Sequence, residues 1–86
     1  MAEYAITLAR SARKDLDSLD AAIVERIFPR IVALAGESRP RGCRKIRGEK
    51  SLWRIRIGDY RVIYAVYDDR QVVDITAVRH RSAAYR

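Results

Sequence analysis

The stretch from Leu52 to Asp69, LWRIRIGDYRVIYAVYDD, limits the possible folds more than any other part of the sequence. In an extended chain successive side chains point to opposite faces. Trp53, Ile55 and Ile57 therefore share one face of LWRIRI, and Leu52, Arg54 and Arg56 share the other. In YRVIYAVY the same rule separates Tyr60, Val62, Tyr64 and Val66 from Arg61, Ile63, Ala65 and Tyr67. Gly58-Asp59 between them is a turn sequence, so the two strands form an antiparallel hairpin with one apolar face. That face needs a cover. With helices supplying it, Arg54, Arg56 and Arg61 project from the uncovered face, where neighbouring strands bring the three charges together.

The rest of the chain supplies the cover. EYAITLA alternates Tyr4, Ile6 and Leu8 against Ala5, Thr7 and Ala9, the period of a half-buried strand. From about Ser11 the apolar residues Ala12, Leu16, Leu19, Ile23 and Ile27 recur at three and four, the period of a helix. A break at Ser18–Asp20 divides this into two helices, with Asp20 capping AAIVERIFPRIVALA and Gly36 ending it. Pro29 inside the second helix removes a backbone donor and predicts a kink. GESRPRG is loop and CRKIRG a short strand, while DDRQ turns the hairpin into a last strand, VVDITAVRH. Strands joined by tight turns are antiparallel. The predicted fold is therefore α+β: a small curled antiparallel sheet with two N-terminal helices packed on one face.

Eighty-six residues leave room for one hydrophobic core, so residues 1–86 are expected to form one domain. At 49% hydrophobic and 34% charged, the composition is that of a globular chain and not a disordered one. No run approaches the roughly 18 apolar residues of a membrane span, and MAEYAITLARSARKDL meets charge too early for a signal peptide. A cytoplasmic protein with no membrane partner is expected. One Cys and one His are too few for an internal disulfide or a protein-only zinc site, and no cofactor is called for. Cys43 reads as a small packing residue.

The net charge of +7 favours a polyanionic partner. The excess is concentrated in the second half, where Arg39, Arg41, Arg44, Lys45, Arg47, Lys50, Arg54, Arg56 and Arg61 face only Glu49 and Asp59. The final residues, AVRHRSAAYR, add Arg79, His80, Arg81, Tyr85 and Arg86. Several arginines with a tyrosine suit a phosphate backbone and a stacked base, because the guanidinium fork grips phosphate and every base has a π-face. The competing reading is that exposed arginines only solubilise the sheet or protect its edges. For His80 the simplest reading is a surface residue. Tyr4, Tyr60 and Tyr64 read as core or its edge, and Tyr67 as either.

LWRIRIGDYRVIYAVYDD, preceded by CRKIRG and followed by VVDITAVRHRSAAYR, closely resembles the RelE-type toxins of the RelE/ParE superfamily of bacterial toxin-antitoxin systems. The likeness runs essentially end to end, and the R-I-R-x-G-x-Y-R-x-x-Y core is its specific part. It implies a metal-independent endoribonuclease that enters the ribosomal A site and cuts mRNA by attack of the 2′-hydroxyl on the neighbouring phosphate. By the same resemblance Arg61 stabilises the charged transition state, and Arg54 and Arg56 stand where relatives carry paired basic residues. Tyr85 matches a C-terminal tyrosine that stacks on or orients the target nucleotide. The second catalytic arginine falls on Arg79 or Arg81, with Arg81 favoured. His80 sits where many relatives have Gly-His-Arg, although Arg79 replaces the glycine here. Lys45, Arg47, Arg79 and His80 complete the implied substrate-binding set.

The partners implied are a cognate RelB-like antitoxin, the ribosome and mRNA, with operator DNA reached only through the antitoxin complex. Proton transfer has no obvious carboxylate, which leaves Tyr85, His80 or an arginine whose pKa would have to fall far below its usual value above ~12. Two other readings stay open: a ParE-like toxin that poisons DNA gyrase, and an inactive module that binds RNA or antitoxin.

Overall fold

In the computed structural model, which describes residues 3–84, the elements run β1 (Ala5–Leu8), α1 (Arg10–Asp17), α2 (Ala21–Ala33), β2 (Arg44–Lys45), β3 (Leu52–Ile57), β4 (Tyr60–Tyr67), β5 (Val72–His80) and α3 (Arg81–Ala84). The five strands make one sheet in the order β1-β5-β4-β3-β2. The pairs β2–β3, β3–β4 and β4–β5 are antiparallel, as short connections require. The expectation of a wholly antiparallel sheet needs one correction: β1 pairs parallel with β5, Ala5 beside Val72 and Leu8 beside Ile75. The two helices that follow β1 carry the chain across the sheet, so a parallel pair forms where a hairpin cannot.

The hairpin turns as its sequence predicts. Ile57 pairs with Tyr60, and Gly58 at the first turn position has φ +61°, a conformation that favours glycine. Asp20 occupies the first cap position of α2, but its side chain makes no capping hydrogen bond; its backbone carbonyl accepts from Ile23 and Val24 instead. The helix runs through Pro29 and ends at Ala33, and Gly36 lies three residues beyond without a positive φ.

Both helices lie on the face predicted to be apolar. Ala12 and Leu16 of α1, Ile27 and Ile31 of α2, and the following Leu34 meet Ile55 and Ile57 of β3, Val62, Tyr64 and Val66 of β4, and Val73, Ile75 and Val78 of β5. Tyr64 is fully buried, and its hydroxyl donates to the Ser38 carbonyl at 2.8 Å, which satisfies the phenol and ties down the loop after α2. Burial pushes that phenol's pKa up, with Cys43 adding to the effect. On the outer side of α2, Phe28 and Val32 stay exposed.

Two irregularities in β5 shape the site end of the sheet. Ile63 pairs with Ala77 but Tyr64 pairs with Ile75, so Thr76 is an extra residue, a β-bulge. Its hydroxyl donates to the Ile63 carbonyl at 3.1 Å. Beyond Ile75 the β1 pairing stops, and α1 covers the exposed edge. Ala9 N–H donates to the Ile75 carbonyl (2.8 Å), Ser11 Oγ to the Thr76 carbonyl (2.6 Å), and Val78 N–H to Asp15 Oδ2 (2.9 Å). An edge that would otherwise present open backbone groups is thereby closed.

Ile31 is fully buried between helix and sheet. Ile31→Ala should lower the unfolding free energy by about 2–5 kcal/mol, measured as a shift of the urea midpoint at unchanged slope; an unmoved midpoint would contradict this core.

Candidate functional site

The uncovered face carries the arginines in two cross-strand rows. Arg56, Arg61 and Arg79 lie side by side on β3, β4 and β5, and Arg44 of β2 lies beside Arg54 of β3. Directly opposed residues of antiparallel strands share a face, so these five side chains start from one side of the sheet. Arg81 follows at the start of α3, its N–H donating to the Asp59 carbonyl of the hairpin turn at 2.7 Å. Arg54 and Arg61 are half-buried, while Arg44, Arg56, Arg79 and Arg81 are exposed.

Two clefts open among these residues. One of about 260 Å³ is lined by Gly42, Arg44, Arg54, Arg56 and Arg61. The other, about 330 Å³, is lined by Arg56, Arg61, Arg81 and Ser82. Arg56 and Arg61 belong to both, so the two clefts adjoin at that pair. No carboxylate lines either cleft. Like charges held this close repel one another, and the repulsion is relieved by an anion seated between them. Arg56 is further held by a hydrogen bond from its Nε to the Gly58 carbonyl at 3.0 Å.

The bulge decides which residues of the last strand join this face. It places Arg79 beside Arg61 and turns His80 the other way, opposite Tyr60 on the helix-covered side. There the His80 and Tyr60 rings meet edge-on, 5.3 Å between centroids, and His80 Nδ1 lies 2.9 Å from Ser82 Oγ. His80 lines a separate cleft of about 270 Å³ with Ile23, Arg26, Ile27, Ile57, Asp59 and Tyr60. Arg79 is on the arginine face but engaged at its rim, with Nε 3.3 Å from Asp15 Oδ2. Arg81 opens onto the cleft.

Of the residues singled out in the sequence, the fold brings together Arg54, Arg56, Arg61 and Arg81, with Arg79 adjoining. It does not bring in Lys45, which pairs with Trp53 on the covered side, nor Arg47, which lies in the turn between β2 and β3. Tyr85 lies outside the described residues. Arg44 and Ser82 line the clefts without having been singled out. For Arg44 a signal existed, since pairing CRK with LWRIR in the observed register puts one Arg opposite another, but a two-residue strand fixes its register too weakly to be read from sequence. Among the described residues, no three His, Cys, Asp or Glu side chains gather as a metal site.

At the far end of β4 a charged knot fixes the loop that supplies Gly42 and Arg44. Arg39 donates to both Asp68 oxygens, at 2.7 and 3.2 Å, and Tyr4 Oη donates to Asp68 Oδ1 at 2.6 Å. The Arg39 guanidinium also sits 5.1 Å from the centre of the Trp53 ring. The Arg39 hydrogen bond, then that of Tyr4, holds the Asp68 carboxyl below the usual carboxylate range.

The model of the ParE toxin of the type II toxin-antitoxin system parDE matches residues 6–85. A chain of the archaeal RelE-RelB complex from Pyrococcus horikoshii is 32% identical, with a TM-score of 0.80 over 92% of this chain and 96% of that one. The isolated E. coli RelE toxin is 26% identical, with a TM-score of 0.79 over 95% of this chain and 90% of that one. A chain of the Mycobacterium tuberculosis toxin-antitoxin complex RelBE2 is 29% identical, with a TM-score of 0.68 over 95% of each. No curated protein sequence matches the chain. The chain belongs to the RelE/ParE superfamily of type II toxin-antitoxin toxins, as a RelE-type member. No helix among the described residues is long and apolar enough to cross a membrane.

A depressed carboxylate pKa adds stability above its unfolded value, about 3.9, and that stability is lost as the pH falls through the folded value. The thermal stability of the wild type should therefore exceed that of Asp68→Asn near neutrality, with the gap closing between about pH 5 and pH 2. Melting curves across that range test it; a gap that persists in acid would assign the effect to something other than Asp68 ionisation.

Proposed function

We propose that this toxin is a ribosome-dependent endoribonuclease that cuts mRNA in the A site and stops translation. The observation that carries the reading is the convergence of Arg54, Arg56, Arg61 and Arg81 on one uncovered sheet face, around clefts with no acidic lining. Phosphoryl transfer needs an oriented phosphate and positive charge where negative charge develops, and a rigid sheet bearing guanidiniums offers both. In the reaction the 2′-oxygen bonds to phosphorus, the bond to the 5′-oxygen breaks, and a 2′,3′-cyclic phosphate and a 5′-hydroxyl remain. Arg61, at the centre of the row, is the residue assigned to the charged transition state, with Arg54 and Arg56 orienting the phosphate.

The position of Arg81 at the cleft and the tie of Arg79 to Asp15 support Arg81 as the second catalytic arginine. The turn of His80 toward Tyr60 argues against His80 as the proton acceptor, and Tyr85 is retained for stacking on the target nucleotide. Lys45 and Arg47, away from the scissile phosphate, are left with a role in gripping RNA outside the cleft. The toxin is held silent in the cytoplasm by a RelB-like antitoxin, as the RelE-RelB and RelBE2 complexes among its structural neighbours suggest by analogy, and meets operator DNA through that complex.

A second reading, poisoning of DNA gyrase, is favoured by the ParE description of the matching family model. The two separate on induction in cells with mapping of mRNA 5′ ends. The nuclease reading expects growth arrest with new cuts inside translated codons, and a loss of cleavage on purified ribosomes of about 100-fold or more in Arg61→Ala and in Arg81→Ala. Arrest with gyrase-linked DNA breaks and intact mRNA would replace it with the ParE-like reading.

A further inference from the structure

We propose that Arg44 binds a phosphate adjacent to the scissile one, so that the cleft walled by Gly42 and Arg44 is a second phosphate subsite; this rests on the ribonuclease reading above. Three observations carry it. β2 is only two residues long, yet its pairing is definite: Arg44 lies beside Arg54 on the arginine face, and Lys45 lies beside Trp53 on the other. Of two neighbouring cations, the fold selects one for this surface.

The cleft also reaches beyond the reaction centre, since Gly42 and Arg44 line it together with Arg54, Arg56 and Arg61. Arg44 and Arg54 form one row, and Arg56 and Arg61 form the next row on the same face. Along β3 the two rows are two residues apart, roughly 6.6 Å at 3.3 Å per residue. That is comparable with the step between neighbouring phosphates of an extended single strand. A strand whose scissile phosphate sits among Arg54, Arg56 and Arg61 thus presents its neighbour toward Arg44, whose forked donors suit a phosphodiester.

The wall opposite these side chains is also open. Gly42 has φ +91°, a backbone state that favours glycine, and a Cβ built there would meet no protein atom within 4 Å. The space there is open, and Gly42 contributes only backbone to the lining of the cleft. Two bonds hold this stretch: Cys43 N–H to the Pro40 carbonyl at 3.0 Å, and Ile46 N–H to the Leu52 carbonyl at 2.9 Å.

The test is a chemical double-mutant cycle on ribosomes programmed with a short mRNA. Each phosphodiester next to the cleaved one is replaced in turn by an uncharged methylphosphonate, and cleavage is measured with wild type, Arg44→Gln and Lys45→Gln. Arg44 is exposed, so its replacement leaves the core intact, and a melting curve checks this. One methylphosphonate should slow the wild type about tenfold, and slow Arg44→Gln far less, because the contact is already missing. Lys45→Gln should show the full penalty. Equal penalties in wild type and Arg44→Gln at both positions would overturn the subsite while leaving the nuclease reading intact. Failure of the wild type to cut the unmodified mRNA would overturn the nuclease reading and the subsite together.

Discussion

The pairing of β4 with β5 is the constraint on which the site depends, and Thr76 is its pivot. Up to Ile75 the strand alternates in phase with β4, sending Val73 and Ile75 into the core. One extra residue then shifts the phase. Val78 takes the core position, Arg79 joins the row of Arg61, and His80 faces Tyr60. Because the side-chain period of a strand is two, a single inserted residue exchanges the faces of everything beyond it. The bulge is held by a hydrogen bond from its own hydroxyl and by Ser11 of α1. Helix, bulge and arginine row thus form one mechanical unit.

This explains how far the sequence could be read. The hairpin of β3 and β4 was legible in full, since its alternation is unbroken, its turn carries Gly58 where φ is positive, and its apolar face coincides with the observed core. The two N-terminal helices were legible from their period, whereas the four-residue α3 was not. The partner of β1 was not, because parallel pairing across an intervening helical segment leaves no local mark. The split between Arg79 and His80 was hidden for a different reason: both are polar, and neither residue type shows where an extra residue enters the ladder. Arg44 was hidden by the brevity of β2.

Charge is distributed by the same architecture. Of the acidic side chains near the arginine face, Asp15 serves the edge of β5 and the rim arginine, Asp68 closes the knot with Arg39 and Tyr4 at the other end of β4, and Asp59 lines a neighbouring cleft with Arg56 and Gly42. The linings of the two arginine clefts are left without a carboxylate. A polyanion is drawn to such a surface from a distance, and more weakly as salt rises.

The gradient of exposure across the arginine face has a consequence for how a ligand is met. A free arginine side chain carries about 2 kcal/mol of rotamer entropy, and that freedom is surrendered when it grips a phosphate. Arg54 and Arg61 are half-buried and Arg56 is fastened to the Gly58 carbonyl, so much of their freedom was lost when the protein folded. Arg44 and Arg81, exposed at the two ends, still have theirs to lose. The middle of the face behaves as a fixed template and its ends as adjustable arms, an arrangement suited to an anionic ligand whose flanking geometry varies.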